Sequence, residues 1–465
     1  MNQNVLYKVV KKHGDTLTPV SIFNKLDGDK KFLLESSFIH ETKGKYSFIG
    51  VNPIQEITGH KNMTTVHHFK SNEKERFEKN TLIYMKEDLP KIEVQLPFPF
   101  FGGAVGYVSY DAVHAFVDIK GQVEDQLQMP DSHFLIYDTV IIYEHRTETA
   151  HLVTFALQNE NEAELIERLR NLSKQLDQEH SLPPYPKSDL QFKPQQSKEY
   201  FMKQVETAKK RMEAENIEQV VLSQRMEAKL DQDPFSIYRN LRIANPSPYM
   251  FYIDFGPYIV TGASPESLVQ TIGNKVVTNP IAGTRPRGKN DAEDKRLSEE
   301  LLQDEKEIIE HDLLVELSKQ DLRSICSLDS IHLPVYKQIE KYEHVLHIVS
   351  EVHGVLKEKV DSIDALRACL PAGTVSGSPR QEAMQIIHDI EKVKRGVYAG
   401  GIGYIGFNRD INLAIAIRSL IIKEDKAYLQ VGAGIVKQSI PEKEYEETLH
   451  KSRSLTNMKQ IEEIV

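Results

Sequence analysis

The sequence predicts an α+β protein built on large antiparallel sheets. Three observations carry this: neighbouring hairpins marked by turn residues, helices that stand apart from them, and no strand–helix–strand alternation of the Rossmann kind. The N-terminal part reads as strands and loops, for example residues 133–143, rich in Val, Ile and Tyr. Leu165, Leu169, Leu172 and Leu176 are spaced as one helix face. Ser181-Leu-Pro-Pro-Tyr-Pro-Lys-Ser188, followed by Pro194, reads as a linker. It sets a boundary near residue 190 between an N-terminal region, 1–190, and a C-terminal one, 191–465. Ser197 then caps a helix with Phe201, Val205, Ala208 and Met212 inside. Residues 268–281 predict a hairpin turning at Gly273-Asn274, and residues 298–320 a helix. Residues 398–436 predict three strands with turns at 408–410 and 423–426. Ser439-Ile-Pro-Glu442 has the pattern of a capping box opening a last helix.

Bulk properties narrow the function. The chain has 465 residues, 40% hydrophobic and 27% charged, with a net charge of −10 spread along its length. Without clustered Lys and Arg, neither nucleic acid nor a membrane surface is expected as a partner. Residues 1–12 are polar and mixed, unlike a signal peptide. No stretch nears the roughly 20 apolar residues of a membrane span, since Arg418 interrupts 414–422. Cys326 and Cys369 are too few for a disulfide framework, so a reducing cytoplasm is the expected compartment.

Two helical carboxylate sets stand out. Glu307, Glu310 and Leu314 fall on one face, as do Glu444, Glu447 and Lys451 on the next helix. Facing each other they would make an all-oxygen site suited to Mg²⁺ rather than Zn²⁺. On spacing alone, two solvated acidic faces are the plainer reading. Three glycine-bearing segments suit anions if their turns expose backbone N–H groups: Asn279-Pro-Ile-Ala-Gly-Thr-Arg-Pro-Arg-Gly288, Pro371-Ala-Gly-Thr-Val-Ser-Gly-Ser-Pro379 and Gln430-Val-Gly-Ala-Gly-Ile435. Tight turns between strands explain each of them equally well. Neither a Walker loop nor GxGxxG is present among them.

Together these segments resemble the chorismate-utilising enzymes, and most closely the family of anthranilate synthase component I, the large subunit. Thr261-Gly-Ala-Ser-Pro-Glu-Ser-Leu268, Asp304-Glu-Lys-Glu-Ile-Ile-Glu-His311, His347-Ile-Val-Ser-Glu-Val352, Ala414-Ile-Ala-Ile-Arg418 and Tyr445-Glu-Glu-Thr-Leu-His-Lys451 join the glycine segments in family order. Leu33-Leu-Glu-Ser36, Tyr46-Ser-Phe-Ile-Gly50 and Phe101-Gly-Gly-Ala-Val-Gly-Tyr107 extend the likeness to the N-terminal region. One stretch departs: the family's Met-Leu-Val-Asp-Leu and Arg-Asn-Asp stand here as Leu313-Leu-Val-Glu-Leu317 and Lys319-Gln-Asp321.

The resemblance implies a sandwich of large β-sheets with helices outside, and a magnesium-dependent, cytoplasmic lyase. It would aminate chorismate through aminodeoxyisochorismate and eliminate pyruvate to give anthranilate, the first committed step towards tryptophan. It implies Mg²⁺ held chiefly by Glu310 and Glu447, with Glu307 and Glu444 direct or through water. Glu266 becomes the acid at the leaving ring hydroxyl, and His347 assists pyruvate loss. Arg418, Lys451, Gly432 and Gly434 grip the enolpyruvyl carboxylate, with Thr284 and Tyr398 lining the pocket. Gln219 stands where water-adding relatives carry a lysine base, and Ala282 where many aminodeoxychorismate synthases carry a lysine nucleophile. A separate glutamine amidotransferase subunit is implied as the ammonia source, because neither cysteine has a nucleophile's setting. A feedback site for L-tryptophan is expected in the N-terminal region, at Glu35, Ser36, Pro248, Tyr249 and Met250. Two rivals stay open: the large subunit of aminodeoxychorismate synthase, and an inactive tryptophan sensor.

Overall fold

A computed structural model describes residues 5–36, 44–179, 181–182, 190–342 and 345–456. Most of the linker, 183–189, lies outside the described residues. Two sheets of 12 strands each dominate, and the strand pairs within them are antiparallel. The first runs, edge to edge, through Tyr7–His13, Thr149–Phe155, Thr139–Glu144, Tyr46–Gly50, Phe32–Glu35, Tyr249–Asp254, Tyr258–Ser264, Ser419–Lys423, Lys426–Ile435, Gln219–Lys229 and Lys193–Pro194. The second runs through Ile281–Pro286, Val345–Val355, Lys275–Thr278, Ser267–Ile272, Ile411–Ile415, Gly401–Gly406, Gly103–Val108, Ser132–Tyr137, Gln55–His60, Met63–His68 and Glu73–Phe77. Both sheets draw strands from either side of residue 190. The joints are Phe32–Glu35 against Tyr249–Asp254 and Gly103–Val108 against Gly401–Gly406.

The sheets face each other over a continuous apolar core. Across it the Phe48 and Tyr404 rings lie 5.7 Å apart, and the Tyr107 and Tyr258 hydroxyls share a hydrogen bond of 2.8 Å. Ten helices are described: α1 Pro19–Lys25, α2 Thr81–Asp88, α3 Glu162–Asp177, α4 Lys198–Glu215, α5 Pro234–Ala244, α6 Asp291–Gln303, α7 Glu305–Ile325, α8 Ser362–Cys369, α9 Arg380–Glu391 and α10 Pro441–Thr456. α3 carries the expected leucine stripe, with Leu165, Leu169 and Leu176 buried, and Ser197 caps α4 by accepting from the Tyr200 N–H. Helices α1, α3 and α5 cover the outer face of the first sheet.

Four expectations need correction. The helix over 298–320 is two helices, because Asp304 turns its carboxylate onto the N–H groups of Lys306 and Glu307 and starts α7 afresh. The three strands over 398–436 are four, because the chain crosses between sheets at Ala416-Ile-Arg418. The capping-box partners at α10 are engaged elsewhere: Ser439 accepts from the Val436 N–H and Glu442 pairs with Lys198. Finally, Gly432-Ala-Gly434 is no turn but mid-strand, paired with Val221, Leu222 and Ser223.

Candidate active site

Two crossovers between the sheets build the centre of the site. The chain leaves the first sheet at Ser264 and enters the second at Ser267, which puts Glu266 in the step. It leaves the second at Ile415 and enters the first at Ser419, which puts Arg418 in the return step, at φ +49°. Backbone bonds lock the steps together: the Ile415 N–H donates to the Glu266 carbonyl (3.0 Å), and the Ala263 N–H to that of Arg418 (3.0 Å). Glu266 and Arg418, 152 residues apart in sequence, are thus held at one corner of the sandwich.

Glu266 is 9% exposed and accepts one hydrogen bond, from Thr374 Oγ1 at 2.9 Å. Burial pushes its carboxyl up to about 7, against the opposing pull of Thr374 and Arg418. A carboxyl so placed is half protonated near neutrality and can give up its proton. Burial lowers the Arg418 guanidinium, which Tyr342 and Glu266 partly oppose. Among the described residues no ion pair engages it, so its N–H fork is open to a carboxylate.

On the second sheet, Ile281–Pro286 bulges at Gly283, φ +68°, and the register slips between Ala282 and Thr284. The bulge turns the Gly283 carbonyl onto His347 Nδ1 (2.9 Å), which must therefore donate. Nε2 is left with its lone pair. Thr284, opposite His347 in the register, has its hydroxyl 3.2 Å from the same Nδ1. The Tyr342 ring stands edge-on to the imidazole at 5.1 Å. Burial lowers the His347 pKa and the Arg418 charge adds to this, so the ring is neutral at pH 7.

On the first sheet, Gly432 and Gly434 are required by what crosses them. A Cβ on Gly432 would sit 2.6 Å from the Tyr398 hydroxyl, and one on Gly434 2.8 Å from Gln219 Nε2. The Tyr398 hydroxyl and the Gln219 amide therefore rest against that strand. Burial raises the Tyr398 hydroxyl to about 12, so it stays a neutral donor. Beneath it a buried pair, Arg395 with Glu391 (2.6 Å), also holds the Val221 and Val375 carbonyls and the Ser223 N–H.

The two acidic helices come close enough for their carboxylates to act on one another. Burial raises the Glu310 carboxyl on α7, and the charges of Glu307 and of Glu447 from α10 raise it further. Glu444 is raised by burial and by Glu447, against a hydrogen bond from Ser439. Glu307 is paired with Arg285 (3.3 Å), and Glu447 with Lys451 (2.7 Å). Lys451 also donates to the Gly432 carbonyl (3.1 Å), tying this acidic patch to the strand that the Tyr398 hydroxyl touches. The fit to Mg²⁺ is chemical: oxygen donors only, with mutual repulsion marking where positive charge is short. Among the described residues no three acids already converge on one point, and Arg285 and Lys451 each engage one of the four carboxylates.

The residues expected to bind tryptophan meet elsewhere. Glu35 and Met250 are cross-strand partners at one of the joints between the two parts of the chain. The Glu35 carboxylate already takes hydrogen bonds from Tyr238 (2.6 Å) and Arg242 (2.6 Å) of α5. Ser36 follows Glu35, Pro248 and Tyr249 precede Met250, and of these Met250 is buried.

Sequence reasoning missed Thr374, Tyr342 and the Arg395–Glu391 pair. Thr374 stood inside a singled-out glycine segment; the others carry no local signal, because only the fold brings them under the site. Both cysteines are buried and their thiols are pushed up by burial, Cys326 to about 11. No helix of the described residues is long and apolar enough to cross a membrane.

The model of the chorismate binding enzyme family matches residues 31–457. Anthranilate synthase component 1 of Lactococcus lactis is 39% identical over 97% of this chain and all of its own length. That of Acetivibrio thermocellus is 39% identical over 99% of this chain and 96% of its own. The crystal structure of anthranilate synthase component I from Streptococcus pneumoniae superposes with a TM-score of 0.84 at 37% identity, covering 96% of this chain and 98% of that one. The menaquinone-specific isochorismate synthase of Escherichia coli shares the fold, with a TM-score of 0.75 at 19% identity.

Proposed function

Because the chain belongs to the family of chorismate-binding enzymes, with component 1 of anthranilate synthase among its full-length relatives, we propose that it aminates chorismate and eliminates pyruvate to release anthranilate. The observation that carries the choice of nucleophile is Gln219, an amide lying against Gly434 at the strand end. An amide cannot deprotonate water, whereas ammonia attacks without a base.

The residues divide the work as follows. Arg418 and the Tyr398 hydroxyl take the enolpyruvyl carboxylate, and Lys451 lies beside them. Glu266 gives its proton to the departing ring hydroxyl as ammonia adds to the ring carbon ortho to the carboxylate, so water leaves. His347 Nε2, neutral and lone-pair-bearing, takes the ring proton from the aminated carbon. The added nitrogen loses its extra proton to solvent, the bond from the ring carbon to the enolpyruvyl oxygen breaks, the enolpyruvyl methylene gains a proton so that pyruvate departs, and the ring becomes aromatic. Mg²⁺ bound by Glu310 and Glu447, with Glu307 and Glu444, would neutralise the ring carboxylate and polarise the ring. With both thiols buried and poorly ionised, ammonia comes from a glutaminase on a separate subunit. Glu35, Ser36, Pro248, Tyr249 and Met250 form a feedback pocket for L-tryptophan, and the enzyme works in the cytoplasm on the tryptophan pathway.

The test is direct. The purified chain with chorismate, Mg²⁺ and ammonium salt at alkaline pH yields fluorescent anthranilate, and with glutamine alone it does not. A non-aromatic amino product would make it the large subunit of aminodeoxychorismate synthase instead. Glutamine-dependent turnover by the single chain would overturn the division of labour.

A further inference from the structure

Glu266, but not Arg418, also lines a small cavity between α7, the strands Ser267–Ile272 and Lys275–Thr278, and the segment leading into α9. It has a volume of about 40 Å³, enough for a few water molecules. Of the residues assigned to substrate or metal above, Glu266 alone lines it. Its wall is polar in an unusual way. Ser267 Oγ and Thr278 Oγ1, on residues 6% and 5% exposed, have no hydrogen-bond partner among the described residues, and neither has the Arg380 Nε–H. All three residues line the cavity. Buried hydroxyls and guanidinium N–H groups are rarely left unpaired unless water takes them. At the outer end Arg380 pairs with Asp321 (2.6 Å), and the two side chains keep 21% and 16% exposure to solvent. Arg380 also donates to the Ala368 carbonyl at 3.0 Å, which fixes its plane.

We propose that this cavity holds ordered water joining the Glu266 carboxyl to the solvent-facing Asp321–Arg380 pair, and that it returns the proton which Glu266 spends in each turnover. The inference rests on Glu266 acting as the acid in the reaction above. Each cycle moves one proton from Glu266 to the departing ring hydroxyl, leaving a carboxylate. Bound chorismate fills the Arg418 side, so the replacement proton reaches the carboxylate from the cavity. Solvent supplies it at the Asp321–Arg380 end, and it passes along the water held by Thr278 and Ser267. Arg380 is a positioning residue: its Nε–H orients a water oxygen, and neither it nor Asp321 touches substrate.

The experiment compares the parent with Thr278→Val, which removes one hydroxyl at nearly constant shape, and Ser318→Leu, which fills the cavity from α7. Mixed rapidly with chorismate, Mg²⁺ and ammonium near pH 6.5, each variant should complete its first turnover at the parental rate. Steady-state kcat should then fall about 5–20-fold, with KM for chorismate unchanged and a larger solvent deuterium isotope effect. A crystal structure of the parent should show water bonded to Thr278 Oγ1, Ser267 Oγ and Arg380 Nε, and that of Thr278→Val should lose it. Equal slowing of the first and later turnovers, or an unchanged steady state in Thr278→Val, would overturn the proposal. Failure of the parent to make anthranilate, or full activity in Glu266→Gln, would instead overturn the functional reading beneath it. If Ser318→Leu does not fold, Thr278→Val decides alone.

Discussion

Glu266 shows how one residue is set by its surroundings. Its neighbours Ser264, Pro265 and Ser267 are unremarkable in sequence, and no charge lies beside it along the chain. Burial in the step between sheets makes it a weak acid, with Arg418 limiting the rise. A carboxyl raised from 4.5 to about 7 keeps a proton in the folded state that the unfolded chain has released. Stability therefore falls as pH climbs from about 4.5 through about 7, by up to about 3 kcal/mol from this group. Glu266→Gln should be more stable than the parent above pH 7 and equal to it below pH 4.5, as read from denaturant midpoints. The same variant should lose turnover by at least about a hundredfold, with an unchanged magnesium requirement. In the parent, the rate normalised to free ammonia should fall as pH rises through 7; a flat profile would remove Glu266 from the acid role.

At the scale of elements, the glycines and the acidic helices differ in how plainly the sequence speaks. Spacing alone put Glu307 with Glu310 and Glu444 with Glu447, because a helix repeats its face every three or four residues. It could not show that α7 begins only at Asp304, nor that Arg285 and Lys451 stand among the acids. Gly432 and Gly434 looked like a turn; they are mid-strand because the Tyr398 and Gln219 side chains need the room. Glu310→Gln and Glu447→Gln should each lose most activity and weaken apparent magnesium affinity about 10–100-fold or more, with an unchanged circular dichroism spectrum. Near-normal turnover of both at limiting Mg²⁺ would remove the metal from between α7 and α10. A chelator should silence the parent reversibly.

Over the whole molecule, the linker near 190 separates stretches of sequence, while both sheets run across it. The residues proposed to bind tryptophan fall at one of the joints. Met250 has Glu35 as its partner on one side and Ala263 on the other, and the Ala263 N–H holds the Arg418 carbonyl. A ligand that moves Glu35 or Arg242 therefore acts two strands away from Arg418. Millimolar L-tryptophan should inhibit chorismate turnover, and chorismate should weaken tryptophan binding by the same factor. Ser36→Phe, which fills the pocket, should raise the inhibitory concentration at least about tenfold. Unchanged inhibition in that variant, or none in the parent, would place the regulator elsewhere.

By itself the sequence determined what depends on near neighbours: the α+β class, the Gly273-Asn274 hairpin turn, the leucine stripe of α3, the Ser197 cap and the acidic faces of α7 and α10. Motif order also fixed the family, since ordered blocks over most of the chain carry far more information than any one of them. Tertiary structure alone decided where the chain changes sheets, and so the meeting of Glu266 and Arg418 at one corner. It also decided the bulge that aims Gly283 at His347, and the Arg395–Glu391 pair beneath Tyr398. These contacts join residues far apart in sequence through backbone geometry. Periodicity and composition report only on the few residues that a helix turn or a hairpin brings together.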